Sequence, residues 1–368
     1  VLSLTAQDTP RPDTAGVAPC DRYRLPSLRV ETRELCPLAA DHVRVEMLYV
    51  GVCGTDLHLL QTDAAGYVRT SAPAVLPITG RVIGHEGVGR VVAAGDSVGG
   101  LRRGEIVAFA SILACRRCEV CRRGAPNQCP AARLLGMEMD GLFGTTVDVP
   151  AALAHRVTDI ARHDDDLKAL ACLEPAGVAL LACRNGRVDR DDSVLVLGGG
   201  PIGLLCAIVA RRVLGAARVE LVEPISGRRR LAADWCDAVY DVEEYLSQAR
   251  PAVDVVIECS GQLENITRMF TGLAPNGRVV LLSRSGQSLA IDDVDHLITG
   301  AISIIGSRGH LGVLPDVLAL YRSGRLPLSS VVTGELDSLE ALHATLSRPG
   351  DLPQQHCKLL ARIGTGTG

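Results

Sequence analysis

Apolar residues along this chain follow two rhythms. Between about residues 28 and 155, short apolar segments are broken by Gly and Pro, and residues 42–50, 87–94 and 105–110 carry β-branched side chains at strand spacing. That pattern predicts an irregular β-rich lobe. From Asp192 onward, strands alternate with helices. Residues 193–197, 218–222, 254–258, 278–283 and 302–306 read as strands. Residues 201–214, 225–235 and 265–273 read as crossover helices, the last closed by a turn at Pro275-Asn276-Gly277. Alternation of this kind predicts an α/β fold with a doubly wound parallel sheet. A helix over 314–323 opens a C-terminal stretch expected to rejoin the first lobe. Residues 1–20 read as a loose extension, and Asp164, Asp165 and Asp166 as a solvated turn.

Composition narrows the function classes. The chain has 368 residues, enough for two domains, with 47% hydrophobic and 22% charged residues, as in an ordinary globular enzyme. A net charge of −4 argues against a nucleic-acid partner. The longest uncharged run, residues 194–210, is punctuated by glycines and suits a buried strand, turn and helix rather than a membrane span. No basic start followed by an apolar core marks a secretion signal, so the 13 cysteines imply a reducing, cytoplasmic setting. Cys183, Cys206, Cys236 and Cys259 lie in apolar surroundings and are expected to be buried packing residues.

Four of the cysteines, Cys115, Cys118, Cys121 and Cys129, crowd into fifteen residues among arginines. Two-residue gaps let the chain turn back and aim successive sulfurs at one tetrahedral ion, so the cluster reads as a closed, structural zinc site on an exposed knuckle; an iron–sulfur centre is the rival. A closed site has no open position for substrate, which puts the chemistry elsewhere.

Gly198-Gly199-Gly200-Pro201-Ile202-Gly203 stands between a predicted strand and a predicted helix, the context a dinucleotide fingerprint requires. Gly198 permits the tight turn, Gly200 lets backbone N–H groups approach a pyrophosphate, and Gly203 lets helix and strand pack closely. Glu223, twenty residues beyond Gly203, closes the second strand and is placed to accept ribose hydroxyls, which favours NAD over NADP. Arg228, Arg229 and Arg230 lie on the next helix and read as a solvated face; Arg228 still counts among the cofactor residues, since one of the three could meet a 2′-phosphate if Glu223 swung away.

Cys53 follows one predicted strand, His85 precedes another, and Glu174 lies ahead of the nucleotide segment. Together they offer the three mixed ligands of an open catalytic zinc. At this point the sequence resembles the zinc-containing medium-chain alcohol dehydrogenases, most closely the sorbitol and threonine dehydrogenase branch. The resemblance covers roughly residues 30–360 and rests on residues 51–56 (GVCGTD), 84–89 (GHEGVG), the four-cysteine lobe, Glu174-Pro175 and the glycine fingerprint, in the family's order.

The resemblance implies a GroES-like β-rich catalytic domain over 1–183, a Rossmann coenzyme domain over 184–307 and a return to the catalytic domain over 308–368, with two zinc ions per chain. Cys53, His85 and Glu174 are then the catalytic-zinc ligands, Glu86 a conditional one, and Asp56 the residue that orients His85. Thr55 is expected to bond the substrate oxygen, and His58 to relay its proton to solvent. The implied reaction moves a hydride between NAD(H) and a polar secondary alcohol or ketone of polyol, sugar or cyclitol character, in a homodimer or homotetramer. An aldehyde or amino-alcohol dehydrogenase, or a protein that kept the fold without the catalysis, stays open as an alternative. The family pattern is departed from at residues 61–81, which lengthen the interval between Cys53 and His85 and are expected to lie near the mouth of the active-site cleft.

Overall fold

The computed structural model describes residues 1–364 apart from 13, 15, 17, 349–351 and 353–355. The chain forms two compact units. One comprises Val1–Glu174, Leu328–Leu352 and the chain from Lys358; the other is built on Pro175–Pro327.

The first unit is β-rich. Its largest sheet runs in the order Ala154–Arg156, Ile106–Phe109, Glu86–Ala94, His42–Gly51, Lys358–Arg362, Val332–Leu336, and Thr146–Pro150 also pairs with His42–Gly51. The Lys358–Arg362 and Val332–Leu336 strands pair in parallel, and the other neighbours are antiparallel. His42–Gly51 is the hub: Val43, Val45, Met47, Leu48, Tyr49 and Val50 are all buried, as a β-branched and aromatic run facing cover on both sides should be.

Two expectations fail in this unit. Residues 1–20 are not a loose extension, because Leu2–Asp8 is a strand between Tyr23–Val30 and Arg81–Val82, with Leu2 and Leu4 fully buried. Its partners lie some twenty and eighty residues away, so no local pattern announces it. The acidic run is not a solvated turn either. Asp164 opens the helix Asp164–Leu170, where Asp166 accepts the backbone N–H of Arg162 and His163, both at 3.1 Å. Carboxylates in a first helical turn satisfy its orphan N–H groups and favour its dipole.

The second unit contains a six-stranded, all-parallel sheet in the order Ala238–Tyr240, Arg218–Val222, Ser193–Leu197, Val253–Glu258, Leu273–Leu281, Ser303–Gly306. The chain order third, second, first, fourth, fifth, sixth is the doubly wound dinucleotide topology. The first helix continues from Pro201–Ile208 into a π-helical stretch, Val209–Leu214, and stops at Gly215 with φ 76°. The expected turn at Pro275-Asn276-Gly277 is instead a bulge inside the fifth strand. The register jumps from Val253 opposite Leu273 to Val255 opposite Arg278, with Asn276 at φ 61°. Cys183 and Cys206 are buried as expected, whereas Cys236 and Cys259 are only partly so. No helix among the described residues is long and apolar enough to cross a membrane.

Candidate active site and metal centres

The four-cysteine lobe hangs on the short ladder between Ile112–Leu113 and Arg133–Leu134. The sulfur of Cys129 lies 3.5 Å from that of Cys115 and 3.9 Å from that of Cys118, and all four sulfurs lie within 4.8 Å of one another. Four thiolates about 2.3 Å from a tetrahedral zinc stand about 3.8 Å apart, so the set fits that ion. Backbone N–H groups of Arg117 and Cys118 point at Cys115 and lower its thiol to about 6, readying a thiolate, while burial pushes Cys121 up to about 12. Arg116, Arg117, Arg122 and Arg123 around the knuckle are exposed.

The second cluster forms where strand ends meet. Cys53 follows His42–Gly51 and precedes the helix Gly54–Leu60; His85 and Glu86 stand at the start of Glu86–Ala94. The ligand atoms of Cys53, His85 and Glu86 lie within 4.8 Å of one another. Gly84 makes this approach possible. It has φ +90°, and a Cβ there would lie 2.1 Å from the Phe143 ring.

Asp56 holds the cluster from below. Its Oδ2 accepts the Cys53 backbone N–H at 3.0 Å, and its Oδ1 lies 3.6 Å from His85 Nδ1. Burial alone would lower the His85 imidazole, but the charges of Asp56 and Cys53 outweigh it and hold the ring well above its ordinary value. Asp56 Oδ1, His85 Nδ1 and Glu86 Oε1 are buried with no hydrogen-bond partner among the described residues. Soft sulfur, imidazole and carboxylate donors gathered in one spot, half-buried at Cys53 and buried at His85 and Glu86, with Glu86 Oε1 unmet, fit a zinc ion.

Sequence reasoning missed the group that stabilises Glu86. Lys358, 1% exposed, places its Nζ 2.5 Å from Glu86 Oε2 and donates to the Val52 carbonyl at 2.9 Å. Burial, reinforced by Glu174, pushes the Glu86 carboxyl upward, while Lys358 and His85 draw it back; burial also opposes the lysine's charge, but attraction to Glu86 and Cys53 holds it cationic. The signal was a lone lysine, one of two in the chain, beside apolar Leu359 and Leu360.

Glu174 lies outside the three-residue cluster. It is buried and accepts a 2.7 Å hydrogen bond from the Ser111 hydroxyl. Thr55 is near the metal ligands, its hydroxyl 3.7 Å from the Cys53 sulfur. His58, on the same helix, is exposed; the chain packed around its ring and then the charge of Arg69 lower its imidazole below the ordinary value. The inserted segment is tied to its neighbours, with Thr62 bridging Val68, Tyr67 bridging Arg24, and Arg11 and Arg24 stacked on the Tyr67 ring at 4.2 and 5.1 Å.

In the second unit the glycine loop has its expected shape. Gly198 has φ +98°, and a Cβ on Gly203 would lie 1.8 Å from the Gly198 carbonyl oxygen, so helix and strand meet at a distance only glycine allows. Glu223 is buried at the end of the second strand, where it accepts the backbone N–H of Gly199 at 2.7 Å and of Ile225 at 2.8 Å. Arg228 stands 3.9 Å from that carboxylate and 3.7 Å from a Cβ position on Gly200, with its Nε unpartnered. Pro201 and Ile202 begin the helix whose N-cap is Gly200. Backbone amides at a helix start, beside an acid on the neighbouring strand, suit the pyrophosphate and ribose of a dinucleotide.

Comparison with known proteins identifies the family. Residues 39–159 match the alcohol dehydrogenase GroES-like domain, and residues 201–323 the zinc-binding dehydrogenase family. Scyllo-inosose 3-dehydrogenase of Thermotoga maritima is 31% identical over 331 residues, covering 82% of each chain. The chain belongs to the zinc-containing medium-chain alcohol dehydrogenase family. Membership makes it an oxidoreductase acting on CH–OH groups, with a GroES-like domain and a Rossmann domain that takes a nicotinamide cofactor. Sorbitol dehydrogenase of Bombyx mori is 28% identical over 319 residues, covering 83% of this chain and 88% of that one. A Thermotoga maritima structure described as an alcohol dehydrogenase superposes with a TM-score of 0.85 at 26% identity, covering 98% and 99% of the two chains.

Proposed function

We propose that this medium-chain dehydrogenase oxidises a polar secondary alcohol, of polyol, sugar or cyclitol type, with NAD, using a catalytic zinc on Cys53, His85 and Glu86 and a structural zinc on the four cysteines. The observation that carries the reading is the gathering of the Cys53, His85 and Glu86 ligand atoms within 4.8 Å of one another, with Glu86 Oε1 buried and unpartnered among the described residues. Zinc held there supplies Lewis-acid polarisation of an alcohol oxygen, and nicotinamide supplies the hydride acceptor.

The chain's own groups do the rest. Asp56 fixes the His85 ring through the nitrogen that faces it, leaving the other for metal. Glu86 is favoured over Glu174 as third ligand because its Oε1 is unmet while Lys358 neutralises Oε2; Glu174, tied to Ser111, stands behind. The Thr55 hydroxyl takes the substrate's proton bond, and His58, exposed on the same helix, exchanges the proton with solvent.

Glu223 supports NAD, since a buried carboxylate repels a 2′-phosphate. A polar substrate agrees with an aromatic content of only 3% and with the cyclitol and polyol names of the relatives. The edge strand Ser303–Gly306, with Ile304 39% exposed, supports assembly into a dimer, and thirteen free cysteines support a cytoplasmic setting.

The test is a panel of polyols, cyclitols, sugar acids and simple aliphatic alcohols assayed with NAD and NADP by reduced-nicotinamide fluorescence, alongside zinc analysis. Turnover of a vicinal polyol or cyclitol with NAD is expected. Preference for NADP would refute the cofactor, and preference for simple aliphatic alcohols the substrate class.

A further inference from the structure

We propose that the β-rich unit carries a second binding site, for a small phosphomonoester, in a cavity of about 450 Å³ walled by Arg90, Arg162 and Arg362. It is independent of the dehydrogenase site and stands whatever alcohol is oxidised there. Arg90 is half-buried in Glu86–Ala94, Arg162 is exposed just before the helix Asp164–Leu170, and Arg362 ends the strand Lys358–Arg362.

The three arginines differ in what they already hold. Arg362 is committed, donating to Asp164 at 2.8 Å and to Glu335 at 3.1 Å. Asp164, the acid on the cavity wall, is committed too: it accepts from Tyr49 at 2.9 Å and pairs with Lys168 at 3.1 Å. Arg90 and Arg162 have no side-chain acceptor among the described residues. The one carboxylate on the wall being engaged by Tyr49, Lys168 and Arg362, the half-buried Arg90 guanidinium faces the cavity unanswered, a place an anion would complete.

The chemistry of the walls selects the anion. A guanidinium fork matches phosphate or carboxylate oxygens two at a time, and two uncommitted forks suit the near-dianionic charge of a phosphomonoester better than a single carboxylate. The space is far larger than a bare phosphate needs, and Ile106 and Leu167 supply apolar wall for a carbon skeleton. Arg90 lies four residues beyond Glu86 and Arg362 four beyond Lys358, so two paths of roughly 13 Å along strands join this cavity to the metal cluster.

The test is calorimetric titration of the full, zinc-loaded chain, saturated with NADH so that the glycine loop is filled, at constant ionic strength. Phenyl phosphate and inorganic phosphate are the probes. Saturable binding of one phenyl phosphate per chain, tighter than inorganic phosphate, is expected. Arg90→Gln and Arg162→Gln should each weaken it by about tenfold or more, and Arg184→Gln, at an exposed ion pair in the other unit, should not. Arg162 is exposed, so its variant keeps the fold, which circular dichroism checks. Absence of saturable heat, wild-type affinity in the Arg162 variant, loss of binding on adding NADH, or equal affinity for inorganic phosphate would each overturn the proposal.

Discussion

The two metal clusters of the β-rich unit solve opposite problems. The four-cysteine lobe gathers identical sulfurs from fifteen consecutive residues, on a knuckle ringed by exposed arginines, so that an ion held by all four would have no open position. The Cys53–His85–Glu86 cluster gathers three different donors from two strand ends, two of them buried and Cys53 half-buried, with Asp56 and Lys358 set beside them. Stability needs only enough ligands. Reactivity needs fewer ligands than the metal can take and a protein that carries the electrostatic cost of leaving room.

Removing one ligand from each cluster is the sharpest way to break this contrast. Cys53→Ala should lower turnover by about a thousandfold or more, since Lewis-acid catalysis supplies several kcal/mol and each 1.36 kcal/mol is tenfold. Zinc content should fall from two to one per chain, while NAD still quenches intrinsic fluorescence; unchanged turnover would remove the catalytic role from this cluster.

An intermediate effect is expected from Lys358→Met, which leaves the Glu86 carboxylate buried without its counter-charge. Breaking such a pair costs about 3–5 kcal/mol, to be read as a lower urea midpoint at unchanged m. Stability should recover in part on Glu86→Gln in the same chain, because the second change removes the stranded charge. Absence of rescue would show that the lysine matters only for packing.

Smallest in its effect on turnover is Cys118→Ser. Zinc content again falls by one, but the folded fraction should keep kcat within about twofold, the ion having no open position. Its cost appears in stability: a loss of roughly 3 kcal/mol would lower Tm by on the order of 10 °C by calorimetry. Equal losses of kcat in the Cys118 and Cys53 variants would erase the distinction between the clusters.

Legibility in the sequence followed how far apart the cooperating residues lie. Five of the six parallel strands of the second unit were readable because each carries its own β-branched run, whereas Ala238–Tyr240, three residues long, was missed; the glycine loop was readable because Gly198 and Gly203 answer to steric needs within six residues. The cysteine lobe was readable for the same local reason. Leu2–Asp8 was misread because its closure depends on Arg81–Val82, far along the chain, and the acidic run because an Asp at a helix start looks like one in a turn until the helix forms. Lys358 had no motif, and its meaning exists only once its strand lies beside His42–Gly51.

That strand placement has a consequence for biosynthesis. Lys358 is 272 residues downstream of Glu86, and the whole nucleotide-binding segment is translated between them. At about 5–20 residues per second, the ribosome takes roughly fifteen seconds to a minute to cover that distance. Throughout that interval the nascent β-rich lobe lacks a strand next to its hub and holds an acid whose counter-ion does not yet exist. The Cys53–His85–Glu86 cluster thus cannot assemble until Lys358 has been made, and a chain stalled before that residue carries the three donors without the counter-charge behind them.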